Sequence, residues 1–365
     1  MNVWVLILGL ALLVGLQKML VIRFALPGIR YERRLSRDTA FAGDTIEMIE
    51  TLQNPRPLFI PWLRVESRIS PYLRFGRQEN LNVSGKRYHR SVFTMMPFQQ
   101  VRRRHQVKLL RRGIYDVGTV ALTAGDLLSA GSASVDMRFQ AKVTVYPRPL
   151  DAGEMPAILP VSRNHGDMIV QTRHLTDPFL VCGIRPYEAG DAPRDIHWAA
   201  TARTGQMQVK VHDYTADTKL MVILNGQLRP DQWGELMDYE QDLIEHGISM
   251  AATLMLEVLK NGAAAGFATN MPFLDQEGCA FLPPYGGTGR EEEVLQALAR
   301  VHIHQERSIL NCLEELSVLR DCDVVLLTAY ADDPELMERV SALRIRNRSV
   351  TVHLLRKEEV KQHAA

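Results

Sequence analysis

At 365 residues, with 46% hydrophobic and 23% charged residues and a formal charge of +1, the chain is long enough for two domains and too apolar to be a disordered tail. The small net charge hides a division, since residues 1 to 150 hold 23 Lys+Arg against 10 Asp+Glu and the remainder holds 20 against 32. The four cysteines, Cys182, Cys279, Cys312 and Cys322, show no C-x-x-C spacing, which excludes a zinc ribbon or a thioredoxin-like motif and leaves free thiols in a reducing compartment.

The chain opens on an apolar run from Val3 to Leu16 that Met19 to Ile22 extends past Gln17 and Lys18, close to the roughly 20 residues a bilayer demands. The expectation is a transmembrane anchor over residues 1–24. A cleaved signal peptide is the alternative, but the basic residues follow the apolar run instead of preceding it. Arg23, Arg30, Arg33, Arg34 and Arg37 then place the body on the cytoplasmic side of the cell membrane as a single-pass protein. The positive first half fits an anionic leaflet, worth about 1 kcal/mol per basic residue near the surface.

Residues 30–149 alternate in short runs broken by turns: Thr45 to Leu52, Trp62 to Ile69, Arg90 to Met96, Gln100 to Leu110, Val117 to Leu122 and Lys142 to Tyr146. That texture predicts an antiparallel β-sandwich-like domain. Arg102, Arg103, Arg104, Lys108, Arg111 and Arg112 form a basic cluster with no aromatic residues interleaved, so nucleic acid is not the expected partner. Residues 150–178, with Pro156, Pro160 and Pro178, read as a linker.

Beyond the linker the period changes. Leu220 to Leu224 and Val324 to Thr328 are continuous apolar runs, as buried parallel strands require, with further strands at Ala263 to Thr269 and Val350 to Leu355. Helical spacing runs through Trp233 to Lys260, where Gly247 marks a break, and through Arg290 to Val301, Glu306 to Leu316 and Pro334 to Ile345. The whole chain is therefore expected to be an α+β multidomain protein: an N-terminal transmembrane helix, a β-sandwich-like domain, then a doubly wound α/β domain.

Between the linker and that sheet lies the densest chemistry, Gly183 to Lys210, which sets Arg185, Glu188, Asp191, Arg194, Asp195, His197 and Arg203 around Tyr187 and Trp198. Charges beside aromatics suggest pairs partly removed from water, in a joint between the two halves with Trp198 packed inside it, or in a site. The run Glu188, Gly190-Asp191, Arg194, Ile196 with His197-Trp198, Ala202-Arg203-Thr204-Gly205 and Val209-Lys210 resembles the signature of the domain of unknown function 58 family. The resemblance implies a membrane-anchored bacterial protein with a β-rich region, an α/β domain similar to von Willebrand factor type A over residues 179–365, and a MoxR-type AAA+ ATPase as partner.

A metal-binding domain of that type carries Asp-x-Ser-x-Ser after its first strand. Here Asn225-Gly226-Gln227-Leu228-Arg229 stands instead, with Asp332 and Asp333 after the later strand, so Asn225, Gln227 and Asp332 mark a degenerate metal position that leaves at most a weakly held Mg²⁺. Gly286-Gly287-Thr288-Gly289-Arg290 lacks the ending of a phosphate loop, and Thr288 with Glu291 reads as a capping box. The function expected is a membrane-tethered, non-enzymatic interaction scaffold with no cofactor and no small-molecule substrate. The alternative is a metal-assisted hydrolase in which His197, oriented by Asp191 or Asp195, acts as general base.

Overall fold

The computed structural model describes residues 3–76, 81–82, 88–126, 131–151, 154–155, 176–188, 191–214 and 219–356. Most of the expected linker, residues 156–175, lies outside these residues, as do Cys182's side chain and Gly190. Helix α1 (Val3–Gly28) is followed by twelve strands: β1 (Arg30–Leu35), β2 (Thr39–Phe41), β3 (Thr45–Gln53), β4 (Ile60–Arg68), β5 (Leu73–Phe75), β6 (Leu81–Asn82), β7 (Tyr88–Met95), β8 (Gln100–Leu109), β9 (Gly113–Asp116), β10 (Thr119–Gly125), β11 (Ser132–Arg138) and β12 (Lys142–Tyr146). They form antiparallel sheets in the orders β1-β3-β8-β5 and β11-β10-β4-β7-β6, with a smaller sheet β2-β12-β9 at one end.

Burial alternates along β3, so Ile46, Met48, Glu50 and Leu52 face inward and the residues between them face out, the period of two that one-sided burial imposes. Leu52, Ile60, Leu63, Val65, Phe93, Met95 and Leu122 fill the space between the two large sheets. At the centre of this sandwich-like region Arg33 donates to Glu50 Oε1 at 2.6 Å and to the Val117 carbonyl at 2.8 Å. His105 Nε2 stands 2.9 Å from Glu50 Oε2, and the Tyr31 hydroxyl donates to Oε1 at 2.6 Å. Burial alone would raise the Glu50 carboxyl, but His105, Arg33 and Tyr31 outweigh it and hold the group below the usual carboxylate range.

A two-stranded ribbon, β13 (Thr176–Pro186) and β14 (Gln208–Tyr214), joins neither large sheet, and α2 (Trp198–Thr204) lies between its strands in sequence. The second half contains β15 (Lys219–Leu224), β16 (Gly234–Glu235), α3 (Asp238–Lys260), β17 (Ala264–Thr269), β18 (Ala280–Tyr285), α4 (Arg290–Arg300), β19 (His304–Gln305), α5 (Ile309–Glu315), β20 (Asp323–Thr328), α6 (Pro334–Arg346) and β21 (Ser349–Leu354). Its sheet runs β18-β17-β15-β20-β21, parallel except for the edge strand β18. The apolar run of β15 serves two faces. Leu220, Val222 and Leu224 pack with α3 and α4, whereas Met221 and Ile223 pack with α5 and α6.

Three expectations are corrected. Among the described residues 40% lie in strands and 28% in helices, so the structure is sheet-rich, and no helix among them is long and apolar enough to cross a membrane. The membrane-spanning element of the expected fold class is therefore withdrawn. Not all α1 side chains are among the described residues, and its last turn is committed to protein: Ala25 and Leu26 are buried with Ile29 against the sandwich, and Arg56 donates to the Phe24 carbonyl at 2.9 Å. Gly247 does not divide α3, because a Cβ there would come within 2.8 Å of Leu224 Cδ1 and 3.0 Å of Leu355 Cδ1; the glycine lets the helix lie close on the sheet. The Thr288 capping box does not form either. Gly289, at φ 84°, is the N-cap of α4 without a side-chain cap, and Arg290 is buried, donating to the Pro283 carbonyl.

Candidate functional site

The segment Gly183 to Lys210 is a self-braced hook. Arg185 grips Asp191 with two bonds, 2.9 and 2.5 Å, and Asp191 Oδ2 also accepts the Glu188 N–H at 2.8 Å. The Arg185 hydrogen bond, reinforced by the Glu188 amide, lowers the Asp191 carboxyl, and the same contact raises the guanidinium. Tyr187 N–H donates to the Met207 carbonyl and His197 N–H to that of Gln208, while Ile196 bridges Val209. Ile196 and Val209 are the buried apolar pair beneath the loop. These bonds fix the hook's shape without help from either large sheet.

Its outer side is open. Trp198 is 69% exposed, Tyr187, Ile184 and Met207 are exposed around the same loop, and Arg194 and Arg203 project into solvent. Arg194 comes no nearer to Asp195 than 3.9 Å, with its side chain 87% exposed. Trp198 is therefore not packed between the halves, and the expectation of an interdomain joint here is overturned. Arg185 finds its partner, Asp191, within the loop, while Arg194 and Arg203 stay in water.

His197 caps α2, and its Nδ1 accepts the Ala200 N–H at 3.1 Å. In the neutral ring that bond places the proton on Nε2 and occupies the lone pair of Nδ1, the nitrogen that would have to take a proton. Asp191 is committed to Arg185. Neither Thr201 nor Thr204 is poised as a nucleophile, since both hydroxyls donate to backbone carbonyls, of His197 and of Ala200 and Gln206.

The joint between the halves lies elsewhere, in the turn between β8 and β9. Arg112, fully enclosed, donates to the carbonyls of Leu298 and Val301 at 2.9 and 2.8 Å, at the end of α4, and its Nε stands 3.0 Å from Glu245 Oε2. Burial pushes the Glu245 carboxyl up, opposed by Arg112 and Arg111. Arg111 reaches Asp242 at 2.5 Å and Gln241 at 2.8 Å on α3 and lies over the Tyr72 ring. A cleft of about 450 Å³ opens beside them, lined in part by Lys108, Arg148, Asp242, Glu245 and His246. The sequence showed both arginines in a basic cluster but gave no signal of partners such as Gln241 and Asp242, 130 and 131 residues from Arg111.

At the carboxyl ends of the parallel strands, where an open α/β sheet binds ligands, the residues after β15 form a buried amide lock. Asn225 Oδ1 accepts the Gln227 N–H at 2.9 Å, Asn270 Oδ1 accepts the Gly226 N–H at 2.8 Å, and Gln227 Oε1 accepts the Ile309 N–H at 2.9 Å. Asn225 Nδ2 donates to Thr328 Oγ1 at 3.1 Å, and Gln305 Nε2 donates to the Gly226 carbonyl. Asn225, Gln227 and Asn270 are fully buried. Asp332 is exposed in the loop after β20, and Asp333 caps α6 through the Glu335 N–H at 3.1 Å. Among the described residues no three His, Cys, Asp or Glu side chains are grouped to hold a metal.

The structure thus defines a β-sandwich-like region, an exposed hook and a mostly parallel α/β sheet whose ligand edge is filled by amides. Residues 183–362 match the family described as Protein of unknown function DUF58. The chain is similar to the Uncharacterized protein YeaD of Bacillus subtilis (strain 168), at 21% identity over 252 residues, covering 67% of this chain and 57% of that protein, so it spans little more than half of that relative's length. Among solved structures, a non-cellulosomal cohesin from Archaeoglobus fulgidus is 9% identical, covering 32% of this chain and 91% of its own, with a TM-score of 0.22. A CARDB domain from Pyrococcus furiosus is 14% identical over 32% of this chain and 93% of its own, with a TM-score of 0.20. Scores this low carry no argument about fold or role.

Proposed function

We propose that this chain is a non-enzymatic docking protein whose hook, residues 183 to 210, is the face that receives a protein partner. The observation that supports this most is Trp198, 69% exposed on a loop held rigid by the Arg185–Asp191 grip. Large exposed aromatics beside arginines are the residues that dominate binding energy at protein interfaces, and a braced loop loses little entropy on docking. Arg194 and Arg203 call for an acidic rim on the partner around an apolar slot for Trp198 and Tyr187. A MoxR-type AAA+ ATPase is the partner the family resemblance suggests.

In this reading the α/β half acts as a degenerate von Willebrand A-like domain, its ligand loop replaced by the amide lock. The excess of basic residues in the first 150 favours a working position against an anionic membrane surface. The docking reading is preferred to the hydrolase alternative because the Nδ1 lone pair of His197 is taken by the Ala200 N–H.

A photoreactive residue at position 198, crosslinked in cells, identifies the protein seated on the hook. Purified partner and full chain then give the affinity for wild type, Trp198→Ala and Arg194→Glu. Losses of tenfold or more with an unchanged melting temperature are expected. Equal affinity for all three proteins sinks the proposal.

A further inference from the structure

The α/β half carries a second braced loop with exposed aromatics, between β15 and α3. Residues 230 to 240 hold Asp231, Glu235, Asp238 and Glu240 and no Lys or Arg. Within this acidic stretch Trp233 is 58% exposed, and Met237 and Tyr239 are exposed as well. The amide lock holds the loop in place. Gln227 Nε2 donates to the carbonyls of Pro230 and Gln232 at 3.2 and 3.1 Å, and Gln232 Oε1 accepts the Leu228 N–H at 2.7 Å. Gly234 and Glu235 pair with β19, and Leu236 is buried in the core.

Acids at the start of α3 suit the helix dipole, and Glu240 Oε2 accepts the Met237 N–H at 3.1 Å. Helix capping does not account for Trp233 and Met237, large apolar groups that a braced loop keeps in water. The hook has the converse pattern. Trp198, Tyr187, Ile184 and Met207 are exposed there, Arg185 is spent on Asp191, and Arg194 and Arg203 stand in solvent. Acids around exposed apolar side chains are what those two arginines call for on a partner, and the Trp233 loop supplies them.

We propose that the hook of one copy docks on the Trp233 loop of a second copy, head to tail. The inference rests on the docking reading of the hook and adds another copy of this chain as its occupant. Like patches repel: two hooks would set Arg194 and Arg203 against their counterparts, and two Trp233 loops would set acids against acids. Unlike patches pair their charges at the rim and cover the aromatics of both faces at the centre. Because the two faces differ, each contact leaves one hook and one acidic loop free. Assembly therefore continues into an open chain or closes into a ring.

The test is sedimentation of the full chain in a non-ionic detergent, which covers the exposed apolar side chains of α1. Wild type should grow with concentration beyond a dimer. Trp198→Ala keeps the acidic loop and loses the hook's aromatic, Trp233→Ala does the reverse, and each should weaken association by about tenfold or more. Mixed in equal amounts, the two variants should form a one-to-one dimer that grows no further, since each such pair has one intact hook facing one intact loop. Recovery in the mixture also shows that both variants are folded. Arg194→Glu, and added salt in the wild type, should weaken association likewise. A wild type that sediments as a monomer at every concentration, association untouched by either tryptophan, or a mixture that stays monomeric or grows beyond two copies overturns the proposal. If the wild type is monomeric while a photoreactive residue at position 198 captures a different protein, the head-to-tail contact falls and the docking role of the hook stands.

Discussion

Replacing Arg112 with alanine should uncouple the two halves of the molecule. In the native chain its guanidinium is the donor that crosses to the end of α4, where Leu298 O otherwise has only a long 3.4 Å bond from the Val301 N–H. Helix ends leave such carbonyls without internal partners, and a cation there is also favoured by the helix dipole. Truncation strands the Val301 carbonyl, leaves that of Leu298 with its one long bond, and leaves Glu245 beside an empty space. Breaking one side of a buried ion pair costs about 3–5 kcal/mol, and protonation of the already raised Glu245 carboxyl should bring the loss to the lower end, about 3 kcal/mol. Against a typical domain stability of about 5–15 kcal/mol, that is enough to separate transitions that are now joined. Urea unfolding with hydrogen exchange on both halves should show α4 and β9 protected unequally in the variant. Arg112→Lys should recover only part of the loss, since an ammonium cannot fork to two carbonyls and a carboxylate at once. A variant that unfolds in one step within about 1 kcal/mol of wild type refutes the assignment of the joint.

His89, enclosed beside Phe75 and His105, is pulled down to about 4, first by burial and then by Arg33, His105 and Arg103, against Glu50. An unfolded histidine takes its proton near pH 6.5, so stability should fall as pH drops from about 6.5 to 4, by up to about 3 kcal/mol, and level off below. Urea midpoints across that range should fall less steeply for His89→Phe, and parallel curves would show the residue is not responsible. Gly247→Ala should destabilise despite a better helix propensity, because the gain of up to about 1 kcal/mol is outweighed by an overpacking cost of about 1–3 kcal/mol at Leu224 and Leu355; a raised melting temperature would reverse that sign. Asn225→Asp should lose the donor to Thr328, at about 1–3 kcal/mol, without a compensating rise in melting temperature when millimolar Mg²⁺ is added. Trp198→Ala should stay within about 0.5 kcal/mol of wild type by the same thermal assay, as an exposed side chain should.

What the sequence showed, and what it hid, divides along the distance between partners. Lys142 to Tyr146 is a strand with the bounds its alternation implies, and the apolar run at Leu220 is the central strand, because burial on one face or two writes itself into consecutive residues. Strand β18 has no clear signal in the sequence, since Pro283 and Pro284 are poor strand residues that only an edge such as this antiparallel one tolerates. The helix expected from Trp233 starts only at Asp238, since Gly234 and Glu235 are drawn into pairing with β19, some seventy residues on. The charges of the hook were visible and their local pairing is real, but their concentration suggested an interdomain joint. The joint belongs to Arg112, whose acceptors lie 186 and 189 residues away, a separation at which no spacing in one sequence signals contact.

That relocation bears on function. A cation entering at the edge of the parallel sheet would have to strip Asn225, Gln227 and Asn270 of N–H donors they already satisfy, at about 1–3 kcal/mol for each group left unpaired in a buried setting. It would gain only neutral amide oxygens, since Asp332 points to solvent and Asp333 is used as a cap. At the hook the opposite holds: the N–H groups of Tyr187, Asp191, His197 and Gly205 are bonded within it, Trp198 and Tyr187 are exposed, and covering Trp198 removes from water surface that the fold has left exposed. Chemistry at the sheet edge requires dismantling structure, whereas docking at the hook requires only a partner of matching shape and charge.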